Sequence, residues 1–218
     1  MTVKYVIQCA SRKVPGAGTL SNVEGKPVKF VAKPELYPGD EIVARPDDLA
    51  ENGKSWRQIL KEYNQSGENP LKLKRAFELY ENKAYAALVE KFGIENAYIL
   101  SAGWGLIPAH YLLPDYNITF SNAAKVPNYA KRKKSETYAD FCKFEANKDD
   151  KLVFIGGKDY QQLFVDLTAG SMASKVIVCN SKIRPKFLGI DLREYATKTR
   201  TNWHYELAND LANGKFHF

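Results

Sequence analysis

Four short apolar runs restrict this chain to one class of fold. They are KYVIQCA at Lys4–Ala10, AYIL at Ala97–Leu100, LVFI at Leu152–Ile155 and KVIVC at Lys175–Cys179. Each is too short for a stable helix and carries the β-branched and aromatic residues of a buried strand. Segments of helical length lie between them. Ser55 is placed to cap a helix through Tyr63, with Trp56, Ile59, Leu60 and Tyr63 on one core-facing stripe. Leu71 to Phe92 reads as a helical region closed by Gly93, and further helices are expected over Glu136–Phe144, Gln161–Leu167 and Trp203–Asn213. Strands alternating with helices predict an α/β domain with a mixed or mostly parallel central sheet flanked by helices. Residues 19–70 read as an insertion after the first strand, with Pro27–Ala32 as a short edge hairpin and Pro34, Pro38, Gly39 and Pro46 interrupting the chain beyond it. A single domain spanning residues 1–218 is expected.

Composition narrows the functional classes. With 44% apolar and 26% charged residues the chain can bury a sizeable core. No apolar run approaches the roughly 20 residues of a membrane span, and the N-terminus enters a strand without a signal-peptide layout. A cytoplasmic protein with no membrane partner is therefore expected. Cys9, Cys142 and Cys179 are odd in number, far apart and without CxxC spacing, and His110, His204 and His217 are equally scattered. Neither a disulfide framework nor a metal motif is indicated, and no cofactor is expected. The net charge of +7 is compatible with a polyanionic partner and equally with a basic, soluble surface.

Candidate site residues gather where strands end. The strand at Ala97–Leu100 runs into Ser101-Ala-Gly-Trp104-Gly105, where small residues let the backbone bend and another group approach. A second turn lies at Leu113-Pro114-Asp115-Tyr116-Asn117. The first strand leads to Ser11-Arg12-Lys13 and the turn Val14-Pro-Gly-Ala-Gly18, either an anion cradle or an exposed basic loop. Neither GxGxxG nor GxxxxGK[ST] is present. The third strand ends in Gly156-Gly157-Lys158-Asp159-Tyr160. At the carboxyl edge of an α/β sheet, where such folds bind ligands, these loops would bring hydroxyls, cations, carboxylates and aromatic faces together. That inventory suits a base or nucleotide. Trp104 or Tyr116 would stack, with Ser11, Ser101, Gly105 and Tyr160 around them, and Arg12, Lys13 and Lys158 would hold phosphate. In an enzyme, Asp115 would activate water or stabilise charge on a sugar. Lys131, Arg132, Lys133 and Lys134 form the densest positive run, suited to phosphate contacts or to plain solvation. Cys9 and His204 read as packing residues, and no nucleophile–base pair stands at a recognisable spacing.

The stretch ILSAGWGLIPAHYLLPDYNITF resembles the signature of the YaaA-like proteins, peroxide stress resistance proteins and their relatives. Ser101, Trp104, Gly105 and Leu106 fit its first part; Pro114 and Tyr116 fit its second. Cys9-Ala10-Ser11-Arg12-Lys13 is similar to that family's Ser/Cys-plus-Lys opening, and Val153–Tyr160 to its later strand and turn. Trp104 stands where a Tyr is common, and residues 19–70 and the segment around Lys131 have no counterpart. The resemblance implies DNA binding and protection from oxidative damage. The combined expectation is a nucleic-acid-binding protein engaging a base or nucleotide at the sheet edge, in DNA modification, repair or stress protection. The alternative is a small-molecule enzyme acting at the glycosidic bond of a nucleotide or nucleoside. Whether the chain is an enzyme, and its oligomeric state, stay open at this point.

Overall fold

The computed structural model describes residues 2–180 and 187–218, so Ser181 and Lys182, which come after the fourth apolar run, lie outside it. All four apolar runs are strands of one sheet: β1 (Val3–Gln8), β5 (Ala97–Ser101), β10 (Lys151–Ile155) and β11 (Ser174–Cys179). With β6 (Gly105–Pro108), β9 (Phe141–Cys142) and β12 (Ile190–Glu194) they make a seven-stranded sheet in the order β12-β11-β10-β1-β5-β6-β9. Five neighbouring strands, β12 to β5, run parallel, and β6 turns back antiparallel to β5. Among the described residues the helices are α1 (Trp56–Gln65), α2 (Ala84–Phe92), α3 (Lys158–Thr168) and α4 (Trp203–Ala212), plus three short 3-10 turns. The chain is α/β with a mostly parallel mixed sheet.

The strand order decides where a ligand fits. From β1 the chain crosses to β5 on one side; it later returns to β10 on the other side and continues outward to β11 and β12. Right-handed crossovers in opposite directions put their helices on opposite faces. Accordingly α2 packs with α4 and against β5, while α3 contacts β6. A crevice therefore opens beyond the carboxyl ends of β1 and β10, the switch point of the sheet.

Residues 19–70 supply β2 (Lys29–Val31), β3 (Val43–Ala44) and α1. The edge hairpin expected at Pro27–Ala32 is corrected: β2 pairs in parallel with β3 and with β8 (Tyr116–Asn117), and Ser21–Pro27 forms only an isolated antiparallel bridge. The register Phe30↔Tyr116 ties this segment directly to the second motif turn. Helix α1 carries the anticipated cap, a reciprocal box between Ser55 and Gln58. Trp56 is core, edge-on to Phe30 at 5.7 Å.

Two expected helices are also corrected. Leu71–Phe92 is helical only from Ala84. Lys72 takes a positive φ of 54°, Asn69 brackets Leu73 at both its N–H and its carbonyl, and β4 (Lys74–Arg75) pairs with β7 (Leu112–Leu113). Asn82 then accepts the Ala84 N–H at 2.9 Å and starts the helix locally. Glu136–Phe144 is not helical: Phe141–Cys142 forms β9 and the rest is irregular. The open edge of β6 takes up its backbone: Phe141 N–H donates to Trp104 O and Lys143 N–H to Leu106 O, both at 2.9 Å. Satisfying a buried strand edge outweighed local helical periodicity. No helix among the described residues is long and apolar enough to cross a membrane.

Candidate functional site

A cleft of about 740 Å³ sits at the switch point. Gln8 to Arg12 line it from the end of β1, and Gly157, Asp159 and Tyr160 from the end of β10. Glu81 and Asn82 precede α2, Thr119 and Ser121 come after β8, and Arg200 to Tyr205 open α4. Two helices thus point their N-termini at one space. Both start without a side-chain cap, at Gly157 and at Asn202, whereas α1 has its capping box. Free N–H groups and the positive ends of helix dipoles favour an anion there. Arg12, Lys125 and Arg200 add full positive charges around the same space.

The floor of the cleft is built from hydrogen bonds that leave little choice. Gly157 N–H donates to Gln8 Oε1 at 2.6 Å, so the Gln8 amide must present its NH₂ to His204 Nε2, 3.3 Å away. That nitrogen then accepts, the proton sits on Nδ1, and the ring is neutral. Burial acts in the same direction, pushing the His204 pKa down to about 4. Beside it, Cys9 Sγ lies 3.3 Å from Tyr160 Oη and accepts the Ala102 N–H at 3.5 Å. Burial holds the Tyr160 hydroxyl well above its ordinary pKa, with Cys9 adding to it, so the hydroxyl stays protonated. Tyr85 Oη donates to Gln8 O at 2.8 Å and stands 3.5 Å from Tyr205 Oη.

A second pocket of about 340 Å³ shares Ser11 with the cleft and is lined by Lys13, Gly16, Asp115, Tyr116 and their neighbours. The Lys13 ammonium lies over the Tyr116 ring, 4.1 Å from its centroid, and burial lowers its pKa against the opposing influence of Cys9 and Asp115.

The sequence-derived candidates therefore divide. Ser11, Arg12 and Tyr160 line the cleft, and Ser11, Lys13, Asp115 and Tyr116 line the smaller pocket. Lys158 is exposed at the first position of α3 and lines neither. Ser101, Trp104 and Gly105 also line neither; they are a buried turn. Ser101 Oγ accepts the Gly103 and Trp104 N–H groups at 3.2 and 3.0 Å and donates to Tyr116 Oη at 2.8 Å, which in turn meets Tyr80 Oη at 2.8 Å. Its hydrogen-bonding capacity is used within the core. Trp104 is fully buried, edge-on to Phe30 at 5.2 Å, so its ring is a packing element and not an exposed stacking face.

The carbonyls of the same turn are gripped from outside by two buried arginines. Arg132 donates to Ala102 O at 2.7 Å, and Arg57 to Gly103 O at 2.7 Å and Trp104 O at 3.1 Å. Asp140 bridges the pair, accepting from Arg132 at 2.6 and 3.1 Å and from Arg57 at 3.4 Å, and Arg57 also contacts Asp47. Burial pushes the Asp140 carboxyl above its ordinary range, with Arg132 opposing. Of the expected basic run Lys131–Lys134, the member Arg132 is corrected, while the three lysines stay at the surface. Arg132 is 4% exposed and committed to the core, Lys134 pairs with Asp159 at 2.6 Å, and Lys131 donates to Asn128 Oδ1 at 3.2 Å. Lys133 is the member of the run left exposed without an ion pair.

Sequence reasoning misses Gln8, Asn82, Thr119, Arg200 and His204 as residues lining the cleft. Gln8 carries a legible signal, a polar residue closing an otherwise apolar strand. Arg200 sits in the polar Lys198–Asn202 lead-in to α4. The others require the strand order. Among the described residues no cluster of three or more His, Cys, Asp or Glu is placed to hold a metal, and Cys9, Cys142 and Cys179 form no disulfide. Comparison with protein-family models, with curated proteins and with solved structures gave no match.

Proposed function

We propose that this chain is a nucleotide-binding protein whose ligand occupies the switch-point cleft, as a free nucleotide or as one unit of a nucleic acid strand. One observation carries the reading: two uncapped helix N-termini, Arg12 and Arg200 meet around a single space whose walls also hold aromatic rings and side-chain amides. The helix ends and guanidiniums suit phosphate. Tyr205, partly exposed on the cleft wall, offers ring surface to a base, and Asn82 offers an amide to its edge. The resemblance to YaaA-like proteins points the same way, since that family is associated with nucleic acid. A broad DNA-binding surface has less support, because Arg132 of the basic run is buried against Ala102 O and Asp140. Glycosidic-bond chemistry would draw its carboxylate from Glu81 or Asp159 on the cleft wall, since Asp115 belongs to the smaller pocket.

Calorimetric titration with nucleoside monophosphates, with the matching nucleosides, and with single- and double-stranded oligonucleotides at two salt concentrations tests this. Monophosphates should bind more tightly than nucleosides, and Arg12→Ala with Arg200→Ala should remove that difference. Steeply salt-dependent binding of duplex with no binding of monophosphate would replace this reading with a DNA-surface one. Binding of none of these ligands would refute both.

A further inference from the structure

The two side-chain amides of the cleft, Gln8 and Asn82, are both half-buried, and the backbone fixes which way round each one sits. Gln8 Oε1 accepts the Gly157 N–H at 2.6 Å, and Asn82 Oδ1 accepts the Ala84 N–H at 2.9 Å. A backbone N–H only donates, so in each case the oxygen is held and the NH₂ is the free end. The Gln8 NH₂ gives one proton to His204 Nε2, 3.3 Å away, and keeps the other. The Asn82 NH₂ has no hydrogen-bond partner among the described residues. Three acceptors of the cleft wall are therefore engaged, while N–H groups are left over. Both amides belong to one corner, tied together by Tyr85. Its Oη donates to Gln8 O at 2.8 Å and stands 3.5 Å from Tyr205 Oη, and its backbone N–H meets Asn82 O at 3.5 Å. Of the carboxylates on the cleft wall, Asp159 pairs with Lys134 at 2.6 Å and Glu81 is exposed to water. The hydroxyls of Ser11, Thr119 and Ser121 can donate or accept and so do not discriminate.

We infer that this corner selects the oxo bases, those with a ring carbonyl where adenine and cytosine carry an amino group. The inference rests on the cleft holding a nucleotide. A carbonyl oxygen accepts from the unused N–H groups of Asn82 and Gln8. An exocyclic amine in the same place sets N–H against N–H and leaves donors unpaired on both sides. Selection by the protein is sharp only where its own groups cannot turn round to suit the other base. Here they cannot, because rotating either amide would place NH₂ against the Ala84 or Gly157 N–H.

The test is calorimetric titration of the full chain with two pairs of ligands, inosine against adenosine monophosphate and uridine against cytidine monophosphate. Within each pair the ligands differ at the oxo or amino group and the ring nitrogen beside it. The oxo member of each pair should bind about tenfold more tightly, the discrimination of one well-placed base contact. Asn82→Asp keeps an oxygen for the Ala84 N–H and puts an acceptor where the NH₂ stood. Both affinity ratios should then fall to one or invert, and taking ratios cancels any general loss from the added negative charge. Monophosphates that bind without base preference, or with amino bases preferred, would overturn this inference and leave the nucleotide reading standing. Ratios that survive in Asn82→Asp would overturn it as well, since the reader would be another group. Binding of no monophosphate would remove the nucleotide reading and this one with it.

Discussion

Asp140→Asn should be among the most damaging single-atom changes available to this protein. Its carboxylate accepts two hydrogen bonds from Arg132 and one from Arg57, and all three side chains are 3–4% exposed. The asparagine keeps the shape but presents an NH₂ where a guanidinium N–H already points, and it leaves Arg132 buried without a counter-charge. Breaking a buried pair from one side costs about 3–5 kcal/mol, because the remaining charge is not resolvated. For a domain of this size that lowers the thermal midpoint by on the order of 10 °C. Urea unfolding monitored by circular dichroism measures it directly, with an unchanged slope against denaturant showing that the unfolded state is the same. Asp47→Asn is the control. Asp47 also pairs with Arg57 but is 30% exposed, so water takes over part of its role and a loss of about 1 kcal/mol is expected. A loss below about 1 kcal/mol for Asp140→Asn would refute the premise that these two arginines depend on it.

Three further outcomes rest on named contacts. Gly105 has φ of 93°, and a Cβ there would collide with the Phe141 backbone, so Gly105→Ala should detach β9 from β6. Hydrogen exchange at the Phe141 and Lys143 amides would rise selectively; unchanged protection would refute it. Tyr116→Phe removes the acceptor for Ser101 and the partner of Tyr80, and should cost about 1–3 kcal/mol in urea unfolding. A smaller loss would show that the two hydroxyls find other partners. His204 is held neutral in the fold down to about pH 4, while in the unfolded chain it takes up a proton near 6.5. The unfolded state therefore binds more protons in that window, and stability is lost as pH falls from 6.5 towards 4, by about 3 kcal/mol in all. His204→Gln should flatten that slope; an unchanged slope would assign it elsewhere.

The four strands were legible because a buried parallel strand must be apolar along its whole length, and only short β-branched runs satisfy that. The Ser55 cap was equally plain, since its partner stands three residues away. The failures share a cause. Glu136–Phe144 has helical periodicity, but the unpaired edge of β6 claims its N–H groups. Arg132 reads as one of four surface cations until Ala102 O and Asp140 appear beside it, separated from it in sequence by 30 and 8 residues. Ser101 and Trp104 look like a ligand-binding turn, because the small residues that admit a ligand also admit the packed rings of Phe30 and Phe141.

Local patterning thus determined the class of fold, the strands and where the chain turns. The strand order is not local. It fixed that β1 and β10 lie side by side, and hence that Gln8, Gly157 and His204, the last two 149 and 196 residues from Gln8 along the chain, share one hydrogen-bonded floor. The tertiary structure alone made a cleft from two helix N-termini and turned Arg132 of the basic run inward. Each outcome depends on desolvation, and a side chain's distance from water is set by the packing of remote segments.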